Sequence, residues 1–197
     1  MANPKTVQTL TKVEAKTAAE ICVAIELSEP ARKLLDEQMP PADYLAKLNE
    51  AGMSEDAVRF LAFALPKREA VWWACQCIRE AGVDSGEAGK AALLAAAVWA
   101  SDSSEDNRRA AQTAAEKAQG TPEALVALGA FLSGGSMTPP EAPEVKPAED
   151  FTPRTVAGAV MLAAVATEPE KAPQKYRRFV DLGVQSANQP LPKGKGT

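Results

Sequence analysis

Two cysteines stand two apart in Cys75-Gln76-Cys77, directly behind the adjacent tryptophans Trp72 and Trp73 and the charged triplet Lys67-Arg68-Glu69. These are the residues whose types could do chemistry. A thiol pair suggests a metal or a redox couple. On a helix, residues two apart point about 200° away from each other, so one ion cannot use both, and the remaining thiol, Cys22, is distant in sequence. Structural thiols are the better reading, and no metal or cofactor is expected. Lys67 and Glu69 could be imagined as an acid–base pair, but no nucleophile, metal site or glycine-rich fingerprint accompanies them. Ser133-Gly134-Gly135-Ser136 lacks the lysine and the preceding strand of a phosphate-binding loop and reads as linker. The chain has no histidine, which removes a histidine-based triad, a histidine general base and the usual histidine-containing zinc sites. No catalytic residue is assigned, and the expectation is a protein that is not an enzyme.

On a helix, Arg68 and Trp72 share a face that Cys75 and Arg79 continue, while Glu69, Trp73, Cys77 and Glu80 form the neighbouring face. An Arg68 guanidinium over the Trp72 ring would add roughly 0.5–1 kcal/mol at an exposed site. Arg68, Glu69, Trp72 and Trp73 are therefore the candidate site. They read either as a recognition patch, since Trp and Arg dominate binding hot spots, or as the organising residues of a core that both rings fill.

The elements that must carry these residues are helical throughout. Of 197 residues, 46% are apolar and 24% charged, the balance of a globular chain. Aromatics are only 5% and much of the apolar count is alanine, so the core must form by close approach of helices. The net charge of −4 provides no basic footprint for nucleic acid. Three cysteines and the absence of an apolar signal segment in Met1–Lys16 make a cytoplasmic location the expectation. The longest uncharged runs, Ala91–Ser101 and 155–167, fall short of the roughly 20 residues that span a bilayer.

Residues 1–16 read as a loose polar leader, followed by a helical main body over 17–133. Helical spacing marks Ala18–Leu27. Ser28 and Pro30 start a short helix, and Pro41 starts the next, with Tyr44, Leu45 and Leu48 inward and Gly52 as its stop. Ser54 is the expected N-cap of a helix whose inner face is Val58, Leu61, Ala62 and Leu65. Pro66 breaks the pattern, and a new helix with Pro66 in its first turn carries the tryptophan pair to about Ala81. Asp84-Ser85-Gly86-Glu87 has capping-box spacing ahead of a central apolar helix, Ala88–Ala100. Glu105–Gln119 reads as a surface helix. Thr121-Pro122-Glu123 starts another, with Leu125, Leu128, Phe131 and Leu132 inward. The Pro/Gly-rich segment 134–150 reads as a mobile linker. Thr152-Pro153 then echoes Thr121-Pro122, either as a degenerate repeat or simply as a second helix start. The C-terminal helices, within 151–188 and with Tyr176, Phe179, Val180 and Val184 inward, are expected to dock on the main body, and 189–197 to be a disordered tail.

The string Leu65-Pro66-Lys67-Arg68-Glu69-Ala70-Val71-Trp72-Trp73-Ala74-Cys75, preceded by Glu55-Asp56-Ala57-Val58-Arg59-Phe60-Leu61-Ala62, resembles an uncharacterised bacterial family, a domain of unknown function described mainly from genes near type VI secretion components. The resemblance covers roughly residues 28–185 and brings no catalytic residues. It implies an all-α accessory protein: an adaptor or chaperone that helps load a secretion effector or tip protein. The expectation is thus an all-α domain of about eight to ten helices packed as antiparallel pairs, with a protein partner, no nucleic acid and no membrane span. A self-assembling structural subunit and an enzyme or toxin of unrecognised type are the alternatives.

Overall fold

The computed structural model describes residues 9–139 and 141–192. Among these the chain is all-helical, as expected, with ten α-helices, one 3-10 turn and no strand. The first three are α1 (Ala18–Cys22), α2 (Glu29–Lys33) and α3 (Pro41–Glu50); then come α4 (Ser54–Ala64), α5 (Lys67–Glu80), α6 (Gly86–Ser101) and α7 (Glu105–Lys117). The last are α8 (Pro122–Phe131), α9 (Phe151–Ala166) and α10 (Ala172–Asn188), with the 3-10 turn Pro169–Lys171 between α9 and α10.

The tryptophan-bearing helix α5 is the hub and touches α6, α8, α9 and α10. Its buried side chains, Val71, Trp73, Ala74, Cys75, Cys77 and Ile78, face several neighbours at once. Alanine and glycine set the spacing of the other helices, since small residues let backbones approach closely. At Gly129 an added Cβ would lie 2.9 Å from Thr155 Oγ1, and at Gly158 it would lie 3.8 Å from Leu125 Cδ1. These two contacts, 129 with 155 and 125 with 158, make α8 and α9 run in opposite directions.

Charged side chains hold this bundle by capping helices other than their own. A helix end leaves backbone groups without partners, and here a neighbouring helix supplies them. Buried Asp56 on α4 accepts from the Ser28 N–H at 2.9 Å and its hydroxyl at 2.7 Å, while the Ser28 hydroxyl accepts from Ala31 N–H at the start of α2. Buried Glu123 on α8 accepts from the Ser85 hydroxyl at 2.9 Å and the Ser85 N–H at 3.4 Å, at the entry to α6. Arg68 donates to Ala100 O and Ser101 O at the end of α6. Arg108 donates to Phe131 O at the end of α8 at 2.7 Å. Lys175 donates to Ala164 O, to the Thr167 carbonyl and to the Thr167 hydroxyl beyond α9.

These caps explain where the chain departs from its local pattern. The helix expected over Ala18–Leu27 stops at Cys22, because Asp56 pins Ser28 in an extended conformation and α2 must start afresh there. Ser54 is inside α4 rather than capping it; Gly52, at φ +70°, and the Met53 N–H to Leu48 O bond close α3, and α4 follows from Met53. Pro66 precedes α5 as its cap residue, so a new helix does begin there, one position later than expected. The Asp84–Glu87 capping box does not form: Glu123 occupies the Ser85 hydroxyl, Asp84 Oδ1 accepts from Gly86 N–H, and Glu87 pairs with Lys90. Helix α6 buries Ala92, Ala96, Trp99 and Ala100 but leaves Leu94 61% and Val98 42% exposed, so it is central on one side only. Leu125 and Leu128 stay half-buried while Val126, Ala127 and Ala130 take the inner face of α8. Thr121 caps α8, but buried Thr152 sits inside α9 and donates to Gly129 O at 3.0 Å, so the two Thr-Pro pairs do not play equivalent roles.

Among its described residues the stretch 134–150 has no helix, as its prolines require, yet it is tied down. Met137 N–H meets Val145 O at 2.8 Å, and Arg109 Nη2 meets both Ser136 O and Thr138 O at 2.8 Å. The N-terminal segment is also fastened. Lys12 N–H donates to Ala187 O at 3.0 Å and Asn188 Nδ2 to Thr9 O at 2.7 Å, so Thr9–Lys12 lies along the end of α10 rather than loose. Residues 1–8 and 193–197, which include the rest of that leader and most of the expected tail, lie outside the described residues.

Candidate functional site

The charged residues and both tryptophans of the 65–75 signature each have a partner within the chain. Pro66 leaves α5 to begin at Lys67, so Lys67, Arg68 and Glu69 form its first turn and fan outward toward three different segments. The Arg68 guanidinium reaches the end of α6, with Nε 3.0 Å and Nη2 2.8 Å from Ala100 O and Nη2 2.9 Å from Ser101 O. A cation at a helix C-terminus is favoured by the helix dipole as well as by the hydrogen bonds. Glu69 pairs with Lys12 at 3.1 Å, joining α5 to the N-terminal segment. Lys67 reaches Ser133 O at 3.0 Å and the Glu149 carboxylate at 2.7 Å.

The two tryptophans have different fates. Trp73 is fully buried, and its indole N–H donates to Phe179 O on α10 at 2.7 Å. Trp72 is half-buried, and the cation over its ring is Arg79, 5.7 Å from the centroid. Arg68, the expected cation, is drawn away to the α6 carbonyls. The four candidate residues are thus neighbours in sequence but face α6, the N-terminal segment, a helix edge and the core.

Cys75 and Cys77 lie on different faces of α5, and Cys75 Sγ is 3.9 Å from Leu93 O. Among the described residues no group of three or more His, Cys, Asp or Glu side chains is placed to hold a metal. Burial pushes the Cys75 thiol up to about 12, the half-buried Cys22 to about 11, and Cys77 well above the ordinary thiol value. The thiolate is the reactive form. Expected, therefore, is that an aromatic disulfide reagent at neutral pH labels neither Cys75 nor Cys77 in the folded protein and labels all three cysteines in denaturant. Rapid labelling of either in the folded state would contradict their placement.

The displaced carboxylates are ion-paired ones. Glu105 is held down to about 2, chiefly by its hydrogen bonds to Arg108 at 2.6 and 2.7 Å and then by Arg109. Glu149, Asp150 and Glu168 are lowered by Lys67, Arg154 and Lys171 respectively. The stability that Glu105 contributes is full above its unfolded value of ~4.3 and is lost as pH falls through its folded value. Its side chain is more than half exposed, so solvent screening reduces the gain. The thermal midpoints of wild type and Glu105→Gln should differ at neutral pH and converge as the solution is acidified from about 4.5 toward 2. A gap that persists unchanged to the acid end would contradict the pairing.

An apolar surface with binding geometry lies away from the signature. Between α7, α8 and α9 runs an open groove of about 310 Å³, formed by Leu125, Leu128 and Phe131 of α8, Leu162 of α9 and Ala115 of α7. Gln112, Glu116 and Gln119 make its polar rim. Val165, three residues after Leu162 on α9, is 44% exposed. A groove of leucines at helical spacing, rimmed by polar groups, is the shape that accepts an amphipathic helix. The sequence reading turned Leu125 and Leu128 inward because their spacing fits a core stripe; only the position of α9 reveals that Val126, Ala127 and Ala130 fill that role.

No curated protein and no solved structure matches the chain. Its residues 44–187, from Tyr44 in α3 to Ala187 in α10, match a family of unknown function, DUF6931, and with most of its length covered the chain belongs to that family.

Proposed function

We propose that the protein is a non-catalytic adaptor or chaperone accessory to type VI secretion, which binds an effector or tip protein through the groove between α7, α8 and α9. The groove is the observation that carries this reading: Leu125, Leu128 and Leu162 are left open in a bundle that buries its other large aliphatic side chains on α4 and α5. The secretion context rests on the resemblance of the Leu65–Cys75 string. Side chains of that string, used internally, shape the bundle that presents the groove.

The test is affinity purification from the native cell, read by mass spectrometry, comparing wild type with Leu125→Asp and Leu128→Asp. Circular dichroism first establishes that both variants are folded. Secretion-apparatus or effector proteins recovered with wild type and lost with both variants support the reading. Equal recovery with the variants moves the contact elsewhere, and recovery of the protein alone counts against an adaptor.

A second reading is favoured by Leu94 and Val98, the exposed apolar pair on α6. Self-assembly through this alanine-rich face would bury them. In that case light scattering detects a dimer or larger species that Leu94→Lys converts to monomer.

A further inference from the structure

The first turn of α5, the start of α7 and the turn after α8 border a second pocket, open to solvent, of about 360 Å³. We propose that it binds a phosphate-type oxyanion. Three cations line it, Lys67, Arg68 and Arg108, against one acid, Glu105, in a chain whose net charge is −4. Glu105 is already engaged by Arg108 and Arg109. Arg68 makes no ion pair among the described residues; its Nε and Nη2 serve carbonyls, which leaves Nη1 without a hydrogen bond. Lys67 has a carboxylate partner in Glu149, but that carboxylate is 92% exposed and can swing into water when a stronger anion arrives.

The remaining donors come from two other segments, Ser103 before α7 and Ser133–Gly135 after α8. The Ser103 and Ser133 hydroxyls and the Gly134 and Gly135 N–H groups line or border the pocket and make no hydrogen bond among the described residues. Gly135 has φ +63°, and a Cβ there would lie 2.8 Å from Arg108 Nη2, so the turn must be bare backbone to pass this close to the guanidinium. Backbone amides of such a left-handed turn, lining one pocket together with guanidinium and ammonium groups, suit an anion. A flat carboxylate accepts in one plane; a pocket lined by guanidinium groups, an ammonium, two hydroxyls and two backbone amides suits a tetrahedral oxyanion. The site is separate from the leucine groove, and nothing in the local sequence of Ser133–Ser136 pairs it with α5.

The amides of Gly134 and Gly135 are the natural reporters. The uniformly ¹⁵N-labelled full chain is titrated with inorganic phosphate at constant ionic strength, with O-phosphoserine and acetate as parallel arms. Saturable shifts at both amides, with a Kd on the order of 1 mM for inorganic phosphate, support the site. Binding of O-phosphoserine at the same amides identifies a phosphoryl group carried on a larger molecule as the occupant; phosphate without phosphoserine identifies the free ion. Lys67→Gln should weaken binding on the order of tenfold. Ser103→Ala, which removes no internal hydrogen bond and so spares the fold, should weaken it by a few-fold. Shifts that do not saturate, acetate acting as strongly as phosphate, or equal affinity in both variants would each overturn the proposal.

Discussion

Trp73→Ala is expected to lower the stability of the protein by about 3–5 kcal/mol, a large share of the 5–15 kcal/mol typical of a domain. Trp73 is the largest of the fully buried side chains and joins α5 to α10 through its bond to Phe179 O. Truncation leaves a cavity at the hub of the bundle and removes the donor at the same time. Trp73→Phe keeps most of the ring and loses the N–H, so it should cost nearer 1 kcal/mol. Gly183 on α10 extends the argument. Alanine is the better helix former by about 1 kcal/mol, yet a Cβ at this position would sit 2.7 Å from Leu61 Cδ1 and 3.2 Å from Trp73 Cε2 and Nε1. Gly183→Ala should therefore destabilise, against its propensity. Equilibrium urea unfolding checks all three, and a Trp73→Ala variant within about 1 kcal/mol of wild type would show that the ring is not where the fold is anchored.

Arg108→Met is expected to cost about 3 kcal/mol and to free the segment after α8. This guanidinium is almost wholly buried. It binds Glu105, Phe131 O and Ser136 O, and its Cζ lies 4.8 Å from the Phe131 ring centroid. Methionine can fill the volume but leaves Phe131 O without its side-chain donor and leaves Ser136 O with Arg109 alone. Arg108→Lys should recover little, because a single ammonium cannot reproduce the planar fork. Amide exchange of Met137, bonded to Val145 O, should accelerate in both variants relative to core amides. Exchange at Met137 that is unchanged would mean that Arg109 alone, through Ser136 O and Thr138 O, secures the segment.

The helices were legible where their signals are local. Pro41 and Thr121 start helices as their types require, and Tyr44, Leu45 and Leu48 are buried as their spacing indicates. What spacing could not reveal is which charged residue caps which distant helix. Asp56 and Glu123 read as ordinary first-turn acids, and Arg108 as one charge on a polar surface helix; their partners are Ser28, Ser85 and a backbone carbonyl at Phe131, each more than 20 positions away. Nothing in the local pattern of Glu105–Lys117 marks Arg108 as buried and Arg109 as partly open.

The candidate site shows the same division. Adjacent tryptophans on neighbouring faces of α5 are equivalent by period, and only the placement of α10 makes Trp73 core and Trp72 edge. The expected Arg68–Trp72 stack had the right geometry along the helix, but the α6 carbonyls offered the guanidinium stronger hydrogen bonds. Gly183, a glycine inside α10, lies close to Trp73, a contact its local pattern does not single out.

Equilibrium urea unfolding of Arg68→Ala tests most directly whether the signature serves the fold. The variant removes three donor contacts to the end of α6 and touches no part of the leucine groove. The expected result is a stability loss of about 1.5–3 kcal/mol with an unchanged slope against urea. A midpoint indistinguishable from wild type would contradict it and return Arg68 to the role of an exposed contact residue.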